Sequence, residues 1–242
     1  MDATPGESRN FLHYARPAWN ALRCYWPVML AIQLMALSMV LYYYHSENAT
    51  HFFTTIGQWK TQGGLLASAL CTILSGGIFP EMVKRMLRDP HTPRATAGEL
   101  AHQFTMWAII GILVDLFYRF QTMQFGTSTQ VQTLLTKVLV DQLVFTPFIS
   151  MPFIAFWFLL REEKYNLPSL FRKLSIGLLF HRVLPLWINC LSFWPLFLLI
   201  VYSLPSDLQF PLFLFGNATY SMLLVYIARQ QATGQASPSM ED

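Results

Sequence analysis

Apolar residues in this chain fall in long unbroken runs instead of the short periodic stripes of a soluble protein. The stretches without Lys, Arg, Asp or Glu are Cys24–Ser46, Thr61–Pro80, Leu100–Val114, Gln142–Leu160, Val183–Ser206 and Leu208–Ala228. A helix needs about 20 mostly apolar residues to cross a bilayer core, so five runs suffice alone. The third reaches that length by absorbing Asp115 and Arg119, which stand four apart on one helical face and can pair there. Six spans are therefore predicted. Between the fourth and fifth, Arg161–Arg182 is charged at both ends. It carries Leu167, Leu170, Phe171, Leu174, Leu178 and Leu179 at helical spacing, which predicts an amphipathic surface helix running into the fifth span.

The expected fold is all-α: a polytopic membrane helical bundle of about six transmembrane helices, with Pro kinks and one amphipathic surface helix. Residues 1–23 read as a polar N-terminal tail, 24–229 as a single transmembrane helical domain, and 230–242 as a mobile C-terminal tail. Arg9, Arg16 and Arg23 precede the first apolar run, so no cleavable signal peptide is expected.

Composition agrees with this reading. Of 242 residues, 54% are hydrophobic and 12% charged, about half the charged share of a soluble domain. Mean hydropathy is +0.38. A net charge of +3 with no single basic patch excludes a soluble nucleic-acid binder, and no nucleic-acid partner is expected. Cys24, Cys71 and Cys190 are scattered and the histidines show no ligand spacing, so no metal site, cofactor or disulfide framework is indicated. His102 and His181 titrate near neutral pH in water but have no visible acid–base partner. Without a clustered nucleophile or metal set, no enzyme is expected.

Basic residues orient the spans. With both termini on one side, that side holds Arg9, Arg16, Arg23, Lys84, Arg85, Arg88, Arg94, Arg161, Lys164, Arg172, Lys173 and Arg229. The other holds Lys60, Arg119 and Lys137, with Arg182 near a helix end. The asymmetry places both termini on the cytoplasm-like side of a membrane. Asn48-Ala49-Thr50 is a glycosylation sequon on the opposite side, while Asn217-Ala218-Thr219 sits inside an apolar run.

Within the spans, the polar and small residues carry the candidate chemistry. Gly64, Ser68, Thr72 and Gly76 recur every four residues, beside a parallel row of Gly63, Ala67, Cys71 and Ser75. Such rows let helices approach closely, within one subunit, between two copies, or as a thin pore wall. Charged groups in spans are functional candidates. Asp115 has Arg119 as a partner. Asp141 lies one turn after Lys137 and beside Gln142 at the predicted start of the fourth span. It is there either an interfacial anchor on the helix dipole or the mouth of a polar path. Pro147, Pro152, Pro185, Pro195 and Pro205 each remove a backbone donor and predict kinks. Pro147 is expected to free the carbonyl of Leu143. The candidate solute path is thus Asp141, Gln142, Asp115, Gly76 and Pro147.

Several of these residues also form a longer pattern. Lys137-x-x-x-Asp141-Gln142-x-x-Phe145-x-Pro147 resembles the signature of the family of small peroxisomal and mitochondrial inner-membrane proteins typified by the Mpv-seventeen protein and the twenty-two-kilodalton peroxisomal membrane protein. Gly111 and Phe117-Tyr118 stand where that family has Gly-Pro and Trp-Tyr. Trp194-Pro195 and Pro205 are similar to its Trp-Pro and Val-Pro elements, and Lys60-Thr61 and Gly76-Gly77 to its Lys-Thr and Gly-Asp. The resemblance covers residues 55–230. Gly77 replaces the usual Asp, Phe117 the usual Trp, and Gln209 falls near the usual Arg; the first span is an N-terminal addition. The resemblance implies a weakly selective channel or facilitator for small solutes and metabolites; the membrane expected is a bacterial inner membrane, or a mitochondrial inner or peroxisomal membrane if the host is eukaryotic. The residues alone leave a second class open, a non-conducting scaffold that stabilises other membrane components. The partners expected are the lipid bilayer, small solutes, and a second copy through Gly64/Ser68/Thr72/Gly76.

Overall fold

A computed structural model describes residues 30, 34–35, 37–86, 95–128, 130–204, 208–209 and 211–222. The tails, Pro205, Arg88 and Arg94 lie outside the described residues. Among the described residues every regular element is helical. Helix α1 covers 37–45, α2 Glu47–Thr72, and a wider π-helical segment Ile73–Ile78 leads into α3, Phe79–Met86. After α4, Ala97–Phe125, come α5, Val131–Val140, a second π segment, Asp141–Ser150, and α6, Met151–Glu162. The short α7, Leu167–Lys173, precedes α8, Ile176–Ser203, and α9 covers 211–222.

Three of these assemblies are long and apolar enough to cross a membrane: Glu47–Met82 (36 residues), Ala97–Phe125 (29) and Val131–Glu162 (32). At a rise of about 1.5 Å per residue each exceeds a hydrocarbon core of about 30 Å. Arg182–Ile188 and Phe193–Ser203 together make a fourth, bent by 52°. The bend falls one turn before Pro195, where the missing N–H leaves the carbonyl of Leu191 without its helical donor. The described structure thus has three spans, or four counting the bent one, against the six predicted. Of the first predicted span only 30, 34–35 and 37–46 are described, and of the last only 208–209 and 211–222, all helical except Ser46, which caps α2.

Two boundaries differ from expectation for one physical reason. The second span starts at Glu47, not Thr61, and the fourth at Val131, not Gln142. Lys60, Lys137 and Asp141 do not end these helices, because each side chain turns into the bundle. Asp141 therefore lies ten residues inside a span, which overturns its reading as a helix-start anchor. The surface helix also differs. Lys164 and Tyr165 adopt positive φ (53° and 63°), reversing the chain after α6. Asn166 then caps α7 by accepting from the Ser169 N–H at 3.1 Å. At Leu174 the backbone becomes extended (ψ 112°), which separates α7 from α8. Glu163 clamps α7 by accepting from Ser169 Oγ (2.6 Å) and Lys173 Nζ (2.7 Å).

Polarity is inverted relative to a water-soluble globule. Large apolar side chains such as Leu66, Met123, Phe148 and Leu196 point outward. Ser68, Thr72, Ser75, His102, Asp115, Gln121, Asp141, Gln142, Thr146 and Asn217 are buried. In water the outward surface would be unfavourable, whereas in lipid it is the required solvent contact.

Close packing of α2 on α4 comes from small residues. A Cβ at Gly111 would fall 2.1 Å from Thr72 Oγ1 and 2.7 Å from the Ser68 carbonyl oxygen. With only hydrogen there, Thr72 donates to the Trp107 carbonyl at 2.9 Å. Gly64, at φ 52° and ψ −131°, interrupts α2 in a conformation glycine alone adopts without strain. The small row is used inside the chain: Ser68 and Thr72 meet Gly111, and the Trp107 ring lies on Gly76.

Candidate functional site

Two cavities lie among the helices. One, about 750 Å³, is lined by Asp141, Gln142, Thr146, Trp107, Trp194 and Tyr220 among others, and reaches Arg161, Glu162 and Arg182. The second, about 860 Å³, contains Lys60, Asp115 and Arg119. Thr72, Val114, Tyr118 and Phe213 belong to both walls. On α4, Glu99, the partner of Arg161, and Asp115 are sixteen residues apart, a rise of about 24 Å.

At the second cavity Asp115 is the centre of a triad. Its Oδ1 accepts from Lys60 Nζ at 2.7 Å, and its Oδ2 accepts from Arg119 Nε at 3.1 Å and from the terminal guanidinium nitrogen at 2.9 Å. The Asp115–Arg119 pair expected from spacing is present, and Lys60 joins it from α2. A Cβ at Gly64 would lie in ordinary contact with the Arg119 guanidinium at 3.9 Å, so it is the positive φ, and not space, that calls for glycine there.

Part of the first cavity's wall is set by the second π segment. In a π-helix the N–H of residue i bonds the carbonyl of i−5, so residues five apart share a face. Asp141 Oδ1 accordingly accepts from Thr146 Oγ1 at 3.3 Å, and from Gln142 Nε2 at 2.8 Å. The expected pairing with Lys137 does not form; Lys137 is buried one turn earlier, and its carbonyl accepts from Gln121 Nε2 at 2.9 Å. The register also moves the consequence of Pro147. The acceptor it leaves is Gln142, not Leu143, and Trp187 Nε1 donates to that Gln142 carbonyl at 2.7 Å. Phe145 stacks on Phe117 at 4.2 Å and 12°. Trp194 is buried against Phe213 and Tyr220.

Three consecutive residues at the end of α6, two of them at the first cavity, each pair with a different helix. Arg161 binds Glu99, Glu162 takes both guanidinium nitrogens of Arg182 (2.7 and 2.8 Å), and Glu163 holds Lys173. Glu99 also completes a capping box with Thr96. Next to them His102 stacks on Trp157 (5.1 Å) and meets Tyr165 OH through Nδ1 at 3.0 Å. The reversed turn at Lys164–Tyr165 is what brings that phenol back. Hydrogen bonds from Lys173, then Ser169, hold the Glu163 carboxyl below its ordinary range.

Of the residues singled out in the sequence, Asp141, Gln142 and Asp115 line the cavities. Neither cavity reaches Gly76, which is covered by Trp107, or Pro147, whose effect is on the backbone. The side chain of His181 lies outside the described residues. Sequence reasoning missed Lys60 as a partner of Asp115, although both fall on the same predicted side of the membrane. It also missed Tyr118 and Phe213 in the shared wall, which no spacing rule marks. Among the described residues no group of three or more His, Cys, Asp and Glu is placed to hold a metal. Searches against family models, curated proteins and solved structures find no match to this chain.

Proposed function

We propose that this chain is an integral membrane protein that passes small polar solutes through its own helical bundle, without covalent chemistry. The observation that supports the reading is the shared wall: Thr72, Val114, Tyr118 and Phe213 border both cavities, so in this reading the two join at these side chains into one route from the Lys60–Asp115–Arg119 triad to Arg161, Glu162 and Arg182. Both ends of that route include exposed charged side chains. Its middle offers Asp141, Gln142 and Thr146 in a segment whose backbone is already widened. The inverted polarity of the bundle and the resemblance at Lys137–Pro147 support the same reading. In this reading both termini face the cytoplasm-like side, as the excess of Lys and Arg along the sequence favours.

The test is solute leak from proteoliposomes. Val114 lies in the shared wall and is partly buried, so Val114→Trp adds bulk where the two cavities meet. Leak of a small neutral polyol is expected from the wild type, reduced at least about tenfold by Val114→Trp, because a lining side chain sets the free diameter of a narrow route. A folded Val114→Trp protein that leaks as the wild type does would overturn the route. Absence of leak from folded wild-type protein would leave a non-conducting scaffold.

A further inference from the structure

The 750 Å³ cavity is lined mostly by rings and alkyl groups, and two of its buried acceptors, on Asp141 and Gln142, stand without donors. Asp141, 6% exposed, receives both of its hydrogen bonds on Oδ1, from the neutral groups of Gln142 and Thr146. Among the described residues none falls on Oδ2. Because Gln142 Nε2 donates to the carboxylate, the amide orientation is set and Oε1 points away from it. That oxygen, on a side chain 3% exposed, has no hydrogen-bond partner. Nearby cations do not meet the need: Arg161 and Arg182, at the cavity's edge, are engaged by Glu99 and Glu162. Two acceptors left this way in a low-dielectric cavity are costly unless something with N–H or O–H groups occupies it.

The walls narrow the chemistry. Trp107, Tyr118, Trp194, Phe213 and Tyr220 border the same space. Aromatic faces carry negative charge density and attract a cation, most strongly where water is excluded. A carboxylate oxygen, an amide oxygen and aromatic faces around one cavity make a receptor for a positive nitrogen carrying hydrogens and an alkyl group. An anion would be repelled by the carboxylate there, and a neutral alcohol would satisfy one acceptor and leave the carboxylate uncompensated.

We infer that this cavity binds a small organic ammonium ion, its N–H groups donating to Asp141 Oδ2 and Gln142 Oε1 and its alkyl part lying against Trp107, Trp194 and Phe213. The inference rests on the proposed route, of which it names the preferred solute. Access is from the end where Arg161 and Arg182 are neutralised by Glu99 and Glu162, so that no net positive barrier faces the ligand. A volume of about 750 Å³ lies within the usual range for a small-molecule site.

Titration calorimetry on the purified full chain in detergent tests it, using n-butylammonium, 1-butanol and potassium as probes. Saturable butylammonium binding is expected at least about tenfold tighter than either other probe, since the alcohol lacks the charge and potassium lacks the alkyl contact. Asp141→Asn and Gln142→Leu should each weaken it by about tenfold or more, the loss of one strong hydrogen bond. Equal binding of butanol, equal binding of potassium, or unchanged affinity in either variant when it melts as the wild type does would overturn the inference. If both variants fail to fold, the three-probe comparison on the wild type decides alone. Butylammonium binding without solute leak would uphold this site and refute the route, while leak without ammonium preference would do the reverse.

Discussion

Asp115→Asn tests the electrostatics of the bundle most directly. Asp115 is 5% exposed and accepts from two cations on different helices, so its charge is what makes their placement tolerable. Removing one partner from a buried ion pair costs about 3–5 kcal/mol, because the remaining charge keeps its desolvation penalty. Here the side chains left behind are 27% exposed for Lys60 and 57% for Arg119. Solvent screening therefore places the loss nearer about 2–3 kcal/mol. Arg119→Gln should cost no more than about 1 kcal/mol, since Lys60 still neutralises the carboxylate and Arg119 is largely at the surface. Lys60→Met should fall between the two. The triad also changes what a double substitution does. From the Asp115–Arg119 pair alone, removing both charges would be milder than removing one. With Lys60 at 2.7 Å, Asp115→Asn/Arg119→Gln still leaves a cation inside, and should be no better than Asp115→Asn. The milder combination is Lys60→Met/Asp115→Asn, after which Arg119 can extend its charged end toward the interface. Thermal unfolding in detergent, followed by tryptophan fluorescence, ranks the set. A loss in Arg119→Gln equal to that in Asp115→Asn, or strict additivity in Lys60→Met/Asp115→Asn, would refute the triad.

Trp187→Phe removes the donor to the Gln142 carbonyl and should cost about 1–3 kcal/mol, the penalty of a buried unsatisfied acceptor. Adding Pro147→Ala restores an N–H that the π register directs at that carbonyl, so the double variant should melt higher than Trp187→Phe; purely additive losses would reject this register. Glu163 gives a pH dependence. Its folded-state pKa is depressed by Lys173 and Ser169, so the clamp on α7 contributes fully above the ordinary value of 4.5 and is lost as pH falls through the lower folded value. Protease resistance of the α6–α7 turn should drop in acid below that value, and Glu163→Gln should be weakened already at neutral pH and lose the acid transition; a wild-type acid profile in that variant would rule the clamp out.

Much of the architecture was legible in the sequence because lipid imposes a simple rule. Every backbone polar group must be satisfied within its own segment, so long apolar runs become helices and nothing else. That rule identified helical spans at Leu100–Val114 with its Asp115–Arg119 extension, and at Gln142–Leu160, and marked Asp115, Asp141 and Gln142 as unusual groups to bury. The inward turn of charged residues was not legible. Run length treats Lys60, Lys137 and Asp141 as ends of spans, whereas a neighbouring helix can supply a partner or exclude lipid and let the helix continue. Nor does sequence spacing reveal a change in helical period. Only the folded backbone places Thr146 over Asp141 and transfers the acceptor left by Pro147 from Leu143 to Gln142. The shared wall of Thr72, Val114, Tyr118 and Phe213 is a still more distant product of the fold. Its residues are separated by up to 141 positions; Gly111 lets α2 bring Thr72 against α4, and Phe213 reaches Tyr118 from α9. Sequence determined which segments leave water; tertiary packing decided which polar groups meet inside them, because partners on separate helices are chosen by distance in space and not along the chain.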